Sequence, residues 1–265
     1  DFGPDILYVA NRCILCTRCV RFMDHVTETP VLNVSERGDR AYIGIDPSAV
    51  LDHPWSGNVV DLCPVGSLVS KDFLHKARAW DLDKTASICP GCTQGCNIMV
   101  DTRDDMVVRL RPRANLEVNR HFVCDTGRAD YRWMNRGDRC ETPMVAEAGK
   151  LRAVEWPDAL RRLADLVAAA SGPVVMLVGG RASSESLGWL RTLLDGRALT
   201  AAMKVPIGPE APIGAIPNLA LRAERAANLG GAELLSVSGD WTLAVAAAAS
   251  ASLVVVLDVE LDDAE

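Results

Sequence analysis

Residues 12–22 read Arg12-Cys13-Ile14-Leu15-Cys16-Thr17-Arg18-Cys19-Val20-Arg21-Phe22, and 43 residues separate Cys19 from a remote Cys63-Pro64. A C-x2-C-x2-C loop wraps three thiolates around an inorganic core while its backbone N–H groups point at sulfur, and the fourth thiolate comes from elsewhere. In bacterial ferredoxin runs that fourth Cys precedes a Pro, as Cys63 does. A [4Fe–4S] cube takes one thiolate per iron, so Cys13, Cys16, Cys19 and Cys63 make a complete set. Structural zinc favours two C-x2-4-C pairs and is the rival reading. Unrelated buried cysteines are the bland one, and three cysteines within seven residues speak against it.

Further along, Cys89-x2-Cys92-x3-Cys96 is followed after 27 residues by Cys124, again four thiols. Gly91 and Gly95 lie between the ligands, where a loop closing on a bulky core benefits from residues without a Cβ. Pro90 helps fix the turn. Zinc competes better here because the spacing is looser. Two four-thiol sets within about 110 residues point to a relay whose potentials are set by hydrogen bonding, charge and burial. The ninth cysteine, Cys140, reads as a structural thiol. With eight thiols already assigned, His25, His53, His75 and His121 read as surface or hydrogen-bonding residues. Trp80, Trp133 and Trp156 read as packing residues.

The rest of the composition narrows the class. The chain has 265 residues, 49% hydrophobic and 24% charged, with a formal net charge of −7. That acidity argues against nucleic acid as a partner. Nine Arg fall within 103–139, but Asp104, Asp105, Asp125, Asp130 and Asp138 are interleaved, which reads as a mixed solvated face. No apolar run approaches the ~18 residues of a membrane helix; 243–253 is too short and contains Ser250 and Ser252. No export signal opens the chain, and a start at Asp1 without Met leads us to expect a fragment. Eight of the nine cysteines lie in the first half without secretory context, so metal ligation is preferred to disulfides.

Three regions separate by composition. Residues 1–80 hold the first cysteine set and are expected to end in a helical stretch over 70–80. Residues 81–139 hold the second set, with small strands around Ile98, Val100 and 106–110. Residues 140–265 turn rich in Ala, Leu and Val. There Leu160, Leu163, Ala164, Val167 and Ala168 carry the spacing of an amphipathic helix over 158–170. Ser171-Gly172-Pro173 ends it, and 174–178 reads as a buried strand. A helix over 184–194, another over 241–249 and a buried strand over 253–259 complete an α/β alternation with parallel strands. Gly179-Gly180 reads as a strand-to-helix turn, since the full phosphate-binding glycine pattern is missing.

The 12–22 stretch, with Gly57-Asn58-Val59-Val60-Asp61-Leu62-Cys63-Pro64-Val65-Gly66-Ser67-Leu68, resembles the large iron–sulfur subunit of bacterial NADH:quinone oxidoreductase, respiratory complex I. The resemblance implies that Cys13, Cys16, Cys19 and Cys63 hold a [4Fe–4S] cluster on the route from flavin to quinone. Cys89, Cys92, Cys96 and Cys124 are similar to the ligands of an extra [4Fe–4S] cluster that some bacterial members carry off that route. The same pattern opens molybdopterin oxidoreductases such as formate dehydrogenases. In Cys124-Asp125-Thr126-Gly127-Arg128, however, Thr126 stands where those enzymes usually have Lys, so no molybdopterin is expected. Val154-Glu155-Trp156-Pro157-Asp158-Ala159-Leu160 is similar to the start of the family's cofactor-free relic domain. The family's N-terminal [2Fe–2S] domain and His/three-Cys cluster are not in this sequence. Hydrogenase-linked diaphorases share the first motif.

The fold expected is therefore α+β iron–sulfur cluster domains followed by a partial α/β molybdopterin-oxidoreductase-like domain with a parallel sheet. The function the resemblance implies is relay of single electrons from NADH and FMN toward quinone, without catalytic residues or a substrate site in this chain. Its implied partners are the flavin/NADH-binding subunit and the quinone-proximal iron–sulfur subunits. Its implied place is cytoplasmic, peripheral to the inner membrane through those partners, with no span of its own. The alternatives are a truncated catalytic subunit of a molybdenum or tungsten formate dehydrogenase-like enzyme, and a zinc-stabilised interaction module.

Overall fold

The computed structural model describes residues 1–259 and 261. Packing divides the chain into two units: residues 1–135 with 208–223, and residues 136–207 with the chain from 224 onward. Composition separates three regions; packing joins the first two of them into one body.

The first unit opens with β1 (Ile6–Tyr8), α1 (Arg18–His25), the antiparallel hairpin β2 (Leu32–Ser35) and β3 (Tyr42–Ile45), the short α2 (Asn58–Leu62) and β4 (Leu68–Ser70). β1 pairs antiparallel with β4, Tyr8 opposite Leu68. This pairing closes the chain so that the loop before α1 and the turn after α2 meet. α1 buries Phe22 and Met23, and Trp55, fully buried just before α2, donates its indole N–H to Ala211 C=O at 3.1 Å.

β5 (Asp83–Ile88), β6 (Asn97–Arg103) and β7 (Met106–Pro112) follow as an antiparallel meander, and α3 (Asp125–Ala129) starts directly after Cys124. Ile98, Val108 and Leu110 face inward, as period-2 patterning requires. Asp101 breaks the pattern: its side chain is fully buried and takes Arg109 at 2.7 Å and Arg111 at 2.9 Å. One apolar core, including Ile6, Phe22, Trp55, Val59, Leu110 and Val123, also contains Cys89, Cys92, Cys96 and Cys124.

Expectations fail at two places in this unit. Residues 71–76 form turns, not a helix: Leu74 N–H reaches Ser70 C=O, but the bonds do not continue. Asp72 and Lys76 are instead held by Tyr131. Trp80 is 79% exposed, so the packing tryptophan here is Trp55.

In the second unit the hairpin β8 (Met144–Glu147) and β9 (Lys150–Ala153) precedes α4 (Trp156–Ala169), β10 (Val174–Gly179), α5 (Ser184–Leu193) and β11 (Leu199–Lys204). The chain then gives a hairpin to the first unit, β12 (Ala211–Pro212) and β13 (Ala220–Leu221). It returns with α6 (Leu229–Leu234), α7 (Trp241–Ala248) and β14 (Leu253–Leu257). The sheet order is β11-β10-β14, all parallel, with β10 central and buried throughout. Helix starts follow capping rules: Ser183 Oγ accepts from Ser186 N–H, and the Asp240 carboxylate accepts from Leu243 N–H.

The parallel sheet and its flanking helices match the sequence pattern, with two corrections. β14 is an edge strand whose Val254 and Val256 are exposed, because nothing among the described residues covers that side of it. Trp156, 64% exposed at the start of α4, does not pack. Gly180 follows β10 where a Cβ would stand 2.5 Å from Ala226 Cβ, so close approach of the chain explains the glycine.

Candidate metal centres

The loop from Cys13 to Cys19 carries two non-glycine residues in the left-handed region, Leu15 (φ 53°) and Thr17 (φ 58°). For β-branched Thr17 this is an outlier, and each such residue costs on the order of 1–3 kcal/mol. Left-handed residues alternating with right-handed ones turn successive N–H groups to one side and make an anion-binding concavity. Leu15 N–H points at Cys13 Sγ at 3.4 Å. Cys63 ends α2, and the turn after it, with Gly66 at φ 63°, aims Ser67 N–H (3.2 Å) and Leu68 N–H (3.5 Å) at Cys63 Sγ. Cys13, Cys16, Cys19 and Cys63 line one cavity, with Tyr8 and Ile43 in its wall. Burial pushes the Cys19 thiol up to about 11, with the neighbouring Cys16 and Cys13 adding to the rise against backbone hydrogen bonds. Such a thiol becomes a ligand by binding a positive core that replaces its proton.

The second set is buried, its cysteines 4–6% exposed. Cys89 N–H bonds to Cys96 C=O at 2.8 Å and closes the loop, which Gly95 turns at φ 63°. Cys124 caps α3, its sulfur accepting from Gly127 N–H at 3.3 Å. Burial pushes the Cys124 thiol up to about 12 against the Gly127 hydrogen bond. It pushes Cys96 up as well, with Cys89, Cys124 and Cys92 all adding to the rise. Gly127, which the sequence pattern does not single out, is the tightest glycine here: a Cβ would lie 3.0 Å from Cys89 Sγ and 3.4 Å from Cys124 Sγ. Gly91 has ordinary room.

A polar interlock that no sequence motif announces joins the two sets within this unit. The Asp125 carboxylate accepts from Ser56 Oγ–H (2.8 Å) and Gly57 N–H (2.9 Å), and Arg128 pairs with Asp61 at 2.8 Å. Gly57 has no room for a side chain, since a Cβ would stand 2.5 Å from Asp125 Oδ1. The segment leading into Cys63 is thus fastened to the segment leaving Cys124. Arg109, Arg111 and Arg128 are therefore spent on specific carboxylates, not on the mixed solvated face expected for 103–139.

Among the described residues, no three His, Cys, Asp or Glu side chains gather tightly enough to share one metal ion. Thiols that bind different irons of a cubane stand around a body instead of meeting at a point. Cys140 is exposed, which corrects its reading as a structural thiol. His25, His75 and His121 are exposed, and His53 Nδ1 accepts from Trp55 N–H at 3.3 Å. No helix among the described residues is long and apolar enough to cross a membrane.

Two family models match the chain. Residues 3–69 match the ferredoxin-like domain of NADH-quinone oxidoreductase subunit 3, and residues 82–136 match the molybdopterin oxidoreductase Fe4S4 domain. The chain is 36% identical over 194 residues to an NADH-quinone oxidoreductase subunit of Rickettsia conorii, covering 73% of this chain and 29% of the relative. It is 38% identical over 197 residues to the mitochondrial NADH dehydrogenase [ubiquinone] iron-sulfur protein 1 of Solanum tuberosum (74% and 27%). To the NADH-quinone oxidoreductase subunit 3 of Thermus thermophilus it is 36% identical over 175 residues (66% and 22%). The chain spans less than a third of the length of these relatives. Both matched regions are iron–sulfur domains, and each contains one complete cysteine set.

Proposed function

The chain belongs to the family of the large iron–sulfur subunit of NADH-quinone oxidoreductase, and on that premise we propose that it is an electron-relay segment of that complex. Cys13, Cys16, Cys19 and Cys63 hold one [4Fe–4S] cluster; Cys89, Cys92, Cys96 and Cys124 hold a second. When bound, the clusters take up and release single electrons. The chain's own residues fix the thiolates, aim N–H dipoles at sulfur and, around the buried second set, exclude water, which together tune the potential. The single observation that carries this reading is the first cavity, with four thiols in its wall and three backbone N–H groups directed at the sulfurs of two of them, Cys13 and Cys63.

NADH, FMN and quinone bind on other subunits in this reading. Its neighbours are the flavin/NADH-binding subunit and quinone-proximal iron–sulfur subunits, and the assembly sits at the cytoplasmic side of the inner membrane. Residues 1–80, 81–139 and 140–265 are three inherited modules, the last without molybdopterin. The zinc alternative is disfavoured by the family matches, both of which are to iron–sulfur domains. The formate dehydrogenase alternative is disfavoured by Thr126, which is exposed two places after Cys124.

Anaerobic purification with iron and sulfide counts and EPR on stepwise reduction tests the proposal. About eight irons are expected, four per cluster, with one signal lost in Cys16→Ser and the other in Cys92→Ser. Retention of both signals in either variant refutes the ligand assignment. Molybdenum near stoichiometric amounts in the full-length protein favours the formate dehydrogenase reading; zinc without acid-labile sulfide favours the interaction module.

A further inference from the structure

Tyr8 closes β1, and its phenolic oxygen is buried without a hydrogen-bond partner in the structure. Buried polar groups are nearly always paired, so an orphaned hydroxyl needs an explanation. Here the ring forms part of the wall of the cavity lined by Cys13, Cys16, Cys19 and Cys63. No hydrogen bond of acceptable geometry joins the phenol to Cys13, which lines the same cavity. At neutral pH the group is an O–H donor with nothing to donate to.

The ring is held in place from two directions. Phe2 stacks on it with centroids 4.6 Å apart and planes 17° from parallel. On the backbone, Tyr8 is registered opposite Leu68. Val9 N–H donates to Ser67 C=O (2.7 Å), and Ser67 Oγ–H donates back to Val9 C=O (2.8 Å). Ser67 and Leu68 are also the residues whose N–H groups face Cys63 Sγ. The same strand pairing therefore fixes both the backbone donors and the phenol relative to one cavity.

We propose that Tyr8 donates an O–H···S hydrogen bond to the sulfur of the centre held by Cys13, Cys16, Cys19 and Cys63, and thereby raises its reduction potential. This rests on the reading of those four cysteines as cluster ligands. A donor aimed at sulfur stabilises the more negative, reduced state more than the oxidised one. Tyr8 is a positioning and tuning residue: it binds no iron.

The test is an EPR-monitored potentiometric titration of the full chain, purified anaerobically and reduced stepwise with dithionite, with iron and sulfide counted. Tyr8→Phe keeps the ring and its stack and removes only the donor. The expected result is full iron and a lower midpoint for the signal that Cys16→Ser abolishes, with the other signal unmoved. One charge-assisted hydrogen bond is worth about a tenfold shift in the reduction equilibrium, 59 mV for one electron. Full iron with an unmoved midpoint overturns the inference, as does an equal shift at both centres. Should Tyr8→Phe lose iron, Phe2→Leu, which loosens the ring but keeps the hydroxyl, takes its place. A smaller shift in the same direction supports the inference and no shift overturns it. A parent chain with no signal sensitive to Cys16→Ser is a separate failure, that of the ligand assignment.

Discussion

Asn58 holds Val123 by both of its backbone groups: Asn58 Nδ2–H donates to Val123 C=O at 3.0 Å, and Asn58 Oδ1 accepts from Val123 N–H at 3.2 Å. The side chain is buried, at the start of the helix that ends in Cys63, while Val123 immediately precedes Cys124. One amide thus mimics a strand partner and fixes two cysteine-bearing segments against each other.

Asn58→Ala leaves the Val123 N–H and C=O buried and unpaired, and Trp55 C=O loses its bond from Asn58 Nδ2–H at 2.8 Å while keeping the one from the residue-58 backbone N–H. The expected loss of stability is about 2–4 kcal/mol, read as a lower urea midpoint of the apo chain. A midpoint equal to that of the parent chain would show that the clip contributes nothing.

Gly127→Ala brings a methyl carbon to 3.0 Å from Cys89 Sγ, where one sulfur or the backbone has to move. The expected outcome is selective: the EPR signal sensitive to Cys92→Ser disappears, iron falls by about half, and the Cys16-dependent signal stays. Loss of both signals together would mean that the glycine supports the fold as a whole.

Asp101→Asn removes the charge that two guanidinium groups face inside the meander, Arg109 and Arg111. Stranding a partly buried charge costs about 3 kcal/mol. Thermal unfolding of the variant is expected several degrees below the parent, with both cluster signals intact at low temperature. An unchanged melting temperature would contradict the pairing.

Burial lowers the pKa of His53, with the charge of Asp52 opposing, and its Nδ1 accepts a hydrogen bond from Trp55 N–H that protonation would break. The folded state therefore favours the neutral ring. Its contribution is full above the unfolded-state value of about 6.5, is lost as pH falls from there through the lowered folded value, and is flat below it. The urea midpoint of the apo chain is expected to drop between pH 7 and pH 5, and the drop to shrink in His53→Gln. An equal drop in both chains would exclude His53 as its source.

Local chemistry was readable because it is written in local spacing. The cysteine steps at 13, 16 and 19 and at 89, 92 and 96 specify loops that can wrap a core, whatever surrounds them. The apolar period of 158–170 specified the helix found at Trp156–Ala169, and the unbroken run 174–178 specified a buried strand. The same method failed at 70–80, where the competing partner of Asp72 and Lys76 is Tyr131, far along the chain. It failed again at Trp80, Trp156 and β14, because exposure depends on which element covers a residue and not on the residue itself.

By itself, then, the sequence determined the two spaced sets of four thiols, the family and the α/β alternation of the second unit, since each follows from residue type and short-range period. The tertiary structure alone decided that Tyr8 faces the first cavity, that Gly127 underlies Cys89, and that Asn58 clips Val123. Each of these joins residues far apart in sequence. Which donor meets which sulfur or carbonyl is set by strand pairing and core packing, and no linear spacing records those contacts.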